Sequence, residues 1–82
     1  MNSILWAYGN RGRVFDMDKW YGEFQLMGVE PDTRTFNIMM QSYGKANMPE
    51  KMMSVLKYMK QRFFSPSAAT FNIIIECFVK EL

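Results

Sequence analysis

Apolar residues recur at i, i+3, i+4 and i+7 in five separate stretches of this chain. The sets are Met1, Ile4, Leu5, Tyr8; Met17, Trp20, Tyr21, Phe24; Phe36, Met39, Met40, Tyr43; Met52, Val55, Leu56, Met59; and Phe71, Ile74, Ile75, Phe78. That spacing lays one apolar stripe along an α-helix. The residues between the stretches punctuate them. Asp32 is placed to cap the helix carrying Phe36. Asn47 breaks that helix, and Pro49 suits the first turn of the next. Gly28 can end the helix of Trp20 in a left-handed conformation, and Pro31 and Pro66 stop each hairpin from running on. The pattern predicts five helices, over about residues 1–11, 14–27, 33–46, 49–62 and 68–81.

The five stretches obey a longer register. Thr35-Phe36-Asn37-Ile38 returns as Thr70-Phe71-Asn72-Ile73, and Pro31 returns as Pro66, each 35 residues later. The same shift pairs Asn2 with Asn37, Tyr8 with Tyr43, Gly9 with Gly44, Met17 with Met52 and Lys45 with Lys80. A fixed period of this length marks a solenoid of stacked supersecondary units. The expected fold is therefore all-α, a solenoid of helical hairpins in about two and a half repeats. Residues 1–32 form a repeat lacking its first residues, 33–67 a complete repeat, and 68–82 the first helix of a third. One position breaks the pattern. Phe63 stands where Gly28 stands one unit earlier, and a bulky residue is costly at positive φ. The second hairpin is expected to end without a left-handed cap, with Phe63 and Phe64 packing on the third unit.

Composition narrows the function classes. Eighty-two residues make at most one small domain. With 49% hydrophobic residues and a net charge of only +2, the chain is expected to be globular and not disordered. No apolar run approaches the ~18 residues of a membrane span. Cys77 has no second cysteine to pair with, and the absence of histidine removes the usual zinc sets. No Gly-rich phosphate loop is present, and the lone thiol has no base of the usual kind, so no catalytic residue, metal or cofactor is expected. Nine methionines and seven phenylalanines read as gap-filling core, with Trp20, Tyr21 and Phe24 inside it. Residues 1–10 show neither a secretory nor a transit segment. Either the product stays where it is made or Met1 is not the start of its parent, and the incomplete outer repeats favour the second.

A polar stripe runs along the edge of the apolar face. At 3.6 residues per turn, Arg34, Asn37, Gln41 and Lys45 fall on one line. Ala69, Asn72, Glu76 and Lys80 follow the same line in the third unit, and Asn2, Trp6 and Asn10 in the first. Trp6 is expected to cover an apolar end of the array in preference to stacking on a ligand.

Period, aromatic-Asn opening (Phe36-Asn37), late Met59 and the Gly28-Val29-Glu30-Pro31-Asp32 close together resemble the pentatricopeptide repeat (PPR) family, specifically its 35-residue P-type repeat. The resemblance covers the whole chain. It departs at Met17 and Met52, where the family favours a small Ala, at Asn47 and Phe63, where it favours Gly, and at Ser67, where it favours Asp or Asn. The large Met side chains imply swollen packing between helices. The resemblance implies a right-handed α-solenoid that binds single-stranded RNA, one base per repeat. By that reading Asn2 with Asp32 read the first base, Asn37 with Ser67 the second, and Asn72 begins a third pair. Arg34 and Ala69 would flank bases, and Lys45 and Lys80 would near phosphates. The implied order is 5′-U-C-Y-3′. An amide offers two donors and an acceptor to a pyrimidine edge, Asp32 suits the uracil N3–H, and Ser67 can donate to the bare cytosine N3. The resemblance further implies a fragment of a longer plant organellar protein, in chloroplast or mitochondrion with the chloroplast preferred. It would act in RNA processing, editing, splicing, stability or translation.

Two other readings compete. One is a protein-binding scaffold resembling tetratricopeptide repeats, whose period is ~34 residues. The other is a truncated array with no function alone. It would fold marginally or self-associate through its exposed ends, since such arrays need at least ~3 units.

Overall fold

The computed structural model describes residues 2–79, all as helices joined by short turns. The helices are α1 (Asn2–Asn10), α2 (Val14–Leu26), α3 (Thr33–Lys45), α4 (Pro49–Gln61) and α5 (Ala68–Val79). Each lies within a few residues of its expected span.

Local chemistry sets these boundaries. Asp32 caps α3 in an extended conformation (φ −125°, ψ −177°), its carboxylate accepting from Thr35 N–H while the Thr35 hydroxyl accepts from Asp32 N–H. That reciprocal pair satisfies two of the donors a helix start leaves open. Ser67 occupies the same place before α5, with Thr70 in the role of Thr35. The second helix of each hairpin starts differently. Arg13 and Met48 precede α2 and α4 without any side-chain cap, and Pro49 supplies the preset φ of a first helical residue.

Among the described residues four turn the chain through positive φ, and they repeat in register. Gly12 (75°) matches Asn47 (58°), and Gly28 (80°) matches Phe63 (63°). Phe63 thus corrects the expectation that the second hairpin ends without a left-handed cap. Its ring is 94% exposed and does not pack on the third unit. The following residue explains why the turn is tolerated. Phe64 N–H donates to Met59 carbonyl at 2.8 Å, and its ring meets Phe36 edge-on at 5.1 Å, inside its own unit. Seating Phe64 against the core fixes the chain direction and leaves Phe63 the strained position.

The helices form two rows. The first helices α1, α3 and α5 pack side by side, and α2 and α4 back α1 and α3. Small residues make the first row tight. A Cβ on Gly9 would stand 1.8 Å from Ser42 Oγ and 2.7 Å from Ser42 Cβ, and a Cβ on Gly44 would stand 3.5 Å from Cys77 Cβ. Gly9 over Ser42 and Gly44 over Cys77 are one contact repeated. The core holds Leu5, Met17, Phe36, Met40, Met52 and Met59, all at most 1% exposed. The methionines at 17 and 52 are absorbed opposite these glycines, with Met17 Sδ 3.2 Å from the place of a Gly9 Cβ.

The second row is looser. A cleft of about 380 Å³ separates α2 from α4, lined by Tyr21, Phe36, Met39, Tyr43 and Tyr58. Asp18 bridges one side, accepting from the Tyr43 hydroxyl and from Lys51 Nζ at 3.4 Å. Burial and then Asp18 push the Tyr43 hydroxyl far above the ordinary tyrosine range. Burial pushes Tyr21 up to about 12. Trp20 was expected in the core but is 37% exposed, resting on Phe24 at 5.8 Å, because no described helix covers that side of α2. On α5, Phe71, Ile75 and Phe78 are exposed for the same reason.

Two stability tests follow. Phe63→Gly is expected to stabilise the chain by about 0.5–1 kcal/mol, the left-handed cost less the entropy of glycine, read as an increase in the urea midpoint. Gly9→Ala is expected to cost about 1–3 kcal/mol because its methyl meets Ser42 Cβ. Gly44→Ala, whose methyl fits at 3.5 Å, is expected to be neutral or to gain about 0.5 kcal/mol of helix propensity. Equal effects of the two substitutions in thermal melts would contradict the packing described.

Candidate functional site

The polar stripe lies along the first row of helices. Arg34, Gln41 and Lys45 are exposed on α3, and Asn37 is half-buried beside them. The stripe borders the seams between neighbouring first helices. Asn2, Ser3, Trp6, Arg34 and Ile38 line an open cleft of about 370 Å³ between α1 and α3. Gln41, Lys45, Ile73 and Glu76 line a smaller one, of about 40 Å³, between α3 and α5. The repeat period and the side-by-side packing together align residues that the chain separates by 35 positions.

Each residue singled out in the sequence has a definite place. Asn2 and Asn37 stand in equivalent positions and accept, through Oδ1, from Thr35 Oγ1 at 2.6 Å and Thr70 Oγ1 at 2.5 Å. Their amide nitrogens make no hydrogen bond among the described residues. Asn72 is exposed, and its side chain has no such partner among the described residues. Asp32 and Ser67 are exposed at the helix starts, beside Asn2 and Asn37 through these threonines. Ala69 is exposed at the start of α5. Lys80 lies outside the described residues.

Electrostatics on this face are mixed. Arg34 and Lys45 enter no ion pair among the described residues. Lys45 Nζ donates to Asn10 Oδ1, 3.1 Å away on α1. Glu76, near Lys45 on the α3–α5 seam, opposes an anion there. The Asp32 carboxyl sits below the usual carboxylate range, chiefly through the Thr35 N–H and then the Thr35 hydroxyl.

Two residues of these clefts were not read from the sequence as part of the site. Trp6, expected to cover an apolar end, is 54% exposed and shares the α1–α3 cleft with Asn2 and Arg34. Ile38 lines the same cleft, and its repeat partner Ile73 lines the next. The recurrence of Ile38 as Ile73 was the available signal, but an apolar residue beside a polar stripe reads as core until the seam is seen.

No described helix is long and apolar enough to cross a membrane, and the described residues hold no cluster of metal-ligating side chains. Paired helices in 35-residue register, with one polar line along their first row, define a helical-repeat protein of the α-solenoid class. The PPR repeat family model matches residues 31–80, and a PPR repeat model matches residues 1–29. This chain belongs to the pentatricopeptide repeat family. A pentatricopeptide repeat-containing protein of Arabidopsis thaliana, named as mitochondrial, is 30% identical over 88 residues, covering 99% of this chain and 20% of that protein. Another from the same plant is 25% identical over 83 residues, covering 98% of this chain and 14% of its own length. One from Oryza sativa subsp. japonica, named as chloroplastic, is 24% identical over 80 residues, covering 98% of this chain and 10% of that protein. The chain thus spans a fifth or less of these relatives. The family match favours the pentatricopeptide over the tetratricopeptide resemblance.

The Asp32 cap carries a pH prediction. Its folded pKa is depressed, so its stabilisation is complete above the ordinary carboxylate value and is lost as pH falls through the lowered one. Asp32→Ala is expected to cost about 1 kcal/mol at pH 7. In melts taken across pH, that difference should stay flat down to roughly pH 4 and shrink below it.

Proposed function

We propose that this chain binds single-stranded RNA along the first row of helices, one base to each repeat. The unit boundaries are 1–32, 33–67 and 68–82. Asn2 with Asp32 take the first base, Asn37 with Ser67 the second, and Asn72 belongs to a third. Arg34 and Ala69 flank bases, and Lys45 and Lys80 near phosphates. The order is 5′-U-C-Y-3′, in a mitochondrial or chloroplast protein acting on RNA processing, editing, splicing, stability or translation. The family generally binds RNA, which supports the class of ligand. The observation that carries the reading is the alignment of Asn2 and Asn37 on adjacent helices, each with its oxygen held by a threonine hydroxyl and its NH₂ unpartnered among the described residues.

The chemistry is consistent with weak selective binding. Arg34 and Trp6 border one cleft and offer flat surfaces to a base. Stacking contributes ~1–3 kcal/mol per base. With a net charge of only +2, general attraction to phosphate is small. Selectivity then rests on base edges.

Titration of the 82-residue chain with short U/C-rich oligoribonucleotides is expected to show tighter binding than with A-rich ones. Asn37→Ala should reduce that preference about 3- to 10-fold, the worth of one hydrogen bond. Lys45→Ala should weaken all the RNAs alike and flatten the salt dependence. Equal affinity for both RNA classes, unchanged by Asn37→Ala, would refute the base assignment.

A further inference from the structure

Thr35 and Thr70 have no part in the base-reading scheme, yet they are among the most buried polar residues, 1% and 0% exposed. A buried hydroxyl must be hydrogen-bonded, and it has a single proton to give. Thr70 Oγ1 gives its proton to Asn37 Oδ1 at 2.5 Å and accepts from Ser67 N–H at 3.2 Å. Ser67 Oγ stands 3.3 Å away and is able to donate to it as well. Thr35 Oγ1 repeats the arrangement toward Asn2 Oδ1 at 2.6 Å, accepting from Asp32 N–H at 3.2 Å. Here the closing residue differs. Asp32 Oδ1 lies 2.9 Å from Thr35 Oγ1 and, being ionised, accepts only. Asp32 therefore competes with Asn2 for the one Thr35 proton, whereas Ser67 leaves the Thr70 proton to Asn37.

We propose that Thr35 and Thr70 are positioning residues for base selection: each buried hydroxyl joins the asparagine of one repeat to the closing residue of that repeat, and through it the closing residue sets which edge of the amide faces the RNA. This rests on the base-reading function above. With Ser67, the Asn37 oxygen is tied inward and its NH₂ faces out, which favours a base presenting only acceptors there, as cytosine does through N3 and O2. With Asp32 drawing on the Thr35 proton, the hold on Asn2 is divided. Its amide is then released more readily than that of Asn37, to turn and meet a base edge with both a donor and acceptors, as uracil has. Asp32 and Ser67 thereby act on the base partly through their neighbour's amide and not only by direct contact. Asn72, whose side chain makes no such bond among the described residues, is the internal comparison.

The experiment uses side-chain amide NMR on the 82-residue chain without RNA, followed by titration with oligoribonucleotides that differ only at the second base. Thr70→Val, which keeps the shape and removes the hydroxyl, is expected to move the Asn37 side-chain amide signals toward those of Asn72. It should reduce second-base discrimination about 3- to 10-fold while leaving the first base unaffected. Thr70→Ser should restore both. Should the buried valine prevent folding, the exposed Ser67→Asp variant takes its place. It is expected to shift the Asn37 amide signals and to move second-base preference from cytosine toward uracil. Asn37 signals indifferent to Thr70→Val or to Ser67→Asp overturn the proposal, as does full second-base discrimination in a folded Thr70→Val chain. RNA binding without base preference in the unaltered chain refutes the base-reading function instead, and the RNA-free amide signals still decide the threonine assignment.

Discussion

The tight side-by-side packing of α1, α3 and α5 is the constraint on which the rest of the molecule depends. Gly9 against Ser42 leaves no room for a Cβ where α1 and α3 cross, and Gly44 against Cys77 leaves room for only a small side chain where α3 meets α5. That closeness lets a hydroxyl at the start of one helix reach an amide on the previous one, as Thr35 reaches Asn2 and Thr70 reaches Asn37. It also turns three separate polar lines into one face. A looser row would leave the same residues as unrelated surface groups. Cys77 takes its meaning here too, as the small residue opposite a glycine.

The turns show the same dominance of packing over local preference. Positive φ recurs at Gly12, Gly28, Asn47 and Phe63, two per unit, whatever residue is present. For Phe63 the conformation costs about 1–2 kcal/mol. Seating Phe64 against Phe36, with its N–H on the Met59 carbonyl, holds the chain in that course. Met17 and Met52 tell a related story. They are large where the family favours small residues, but an unbranched thioether conforms to the space that a glycine leaves.

The helix starts link stability to the proposed site. The first helices α3 and α5 are capped by side chains, whereas α2 and α4 are entered through turns without one. The capping residues Asp32 and Ser67 are the ones proposed to meet base edges. A cap must be a short polar acceptor at an exposed helix end, and a base-contacting residue needs the same qualities. The two demands coincide, so capping α3 and α5 leaves Asp32 and Ser67 suited to the proposed base-reading role as well.

Much of this was legible in the residues. Five apolar stripes, the capping Asp32, the stop at Asn47 and the 35-residue register follow from short-range periodicity and turn chemistry, which act within a few residues and leave their mark in the order of side chains. The line of Asn2, Asn37 and Asn72 was visible for the same reason. Three things were not. Trp20 reads as core because its spacing is right, but burial needs a neighbour on that side, and no described helix supplies one. Phe63 reads as a violation because steric cost is a local quantity, while the gain that offsets it comes from Phe64 in the core. The bonds from Thr35 and Thr70 to the asparagines join residues 33 positions apart. The sequence by itself determined the helices, their caps and their period. Only the tertiary structure decided how closely the helices stack, because that distance is set by pairs of side chains from different repeats, and it is this distance that connects the threonines to the asparagines.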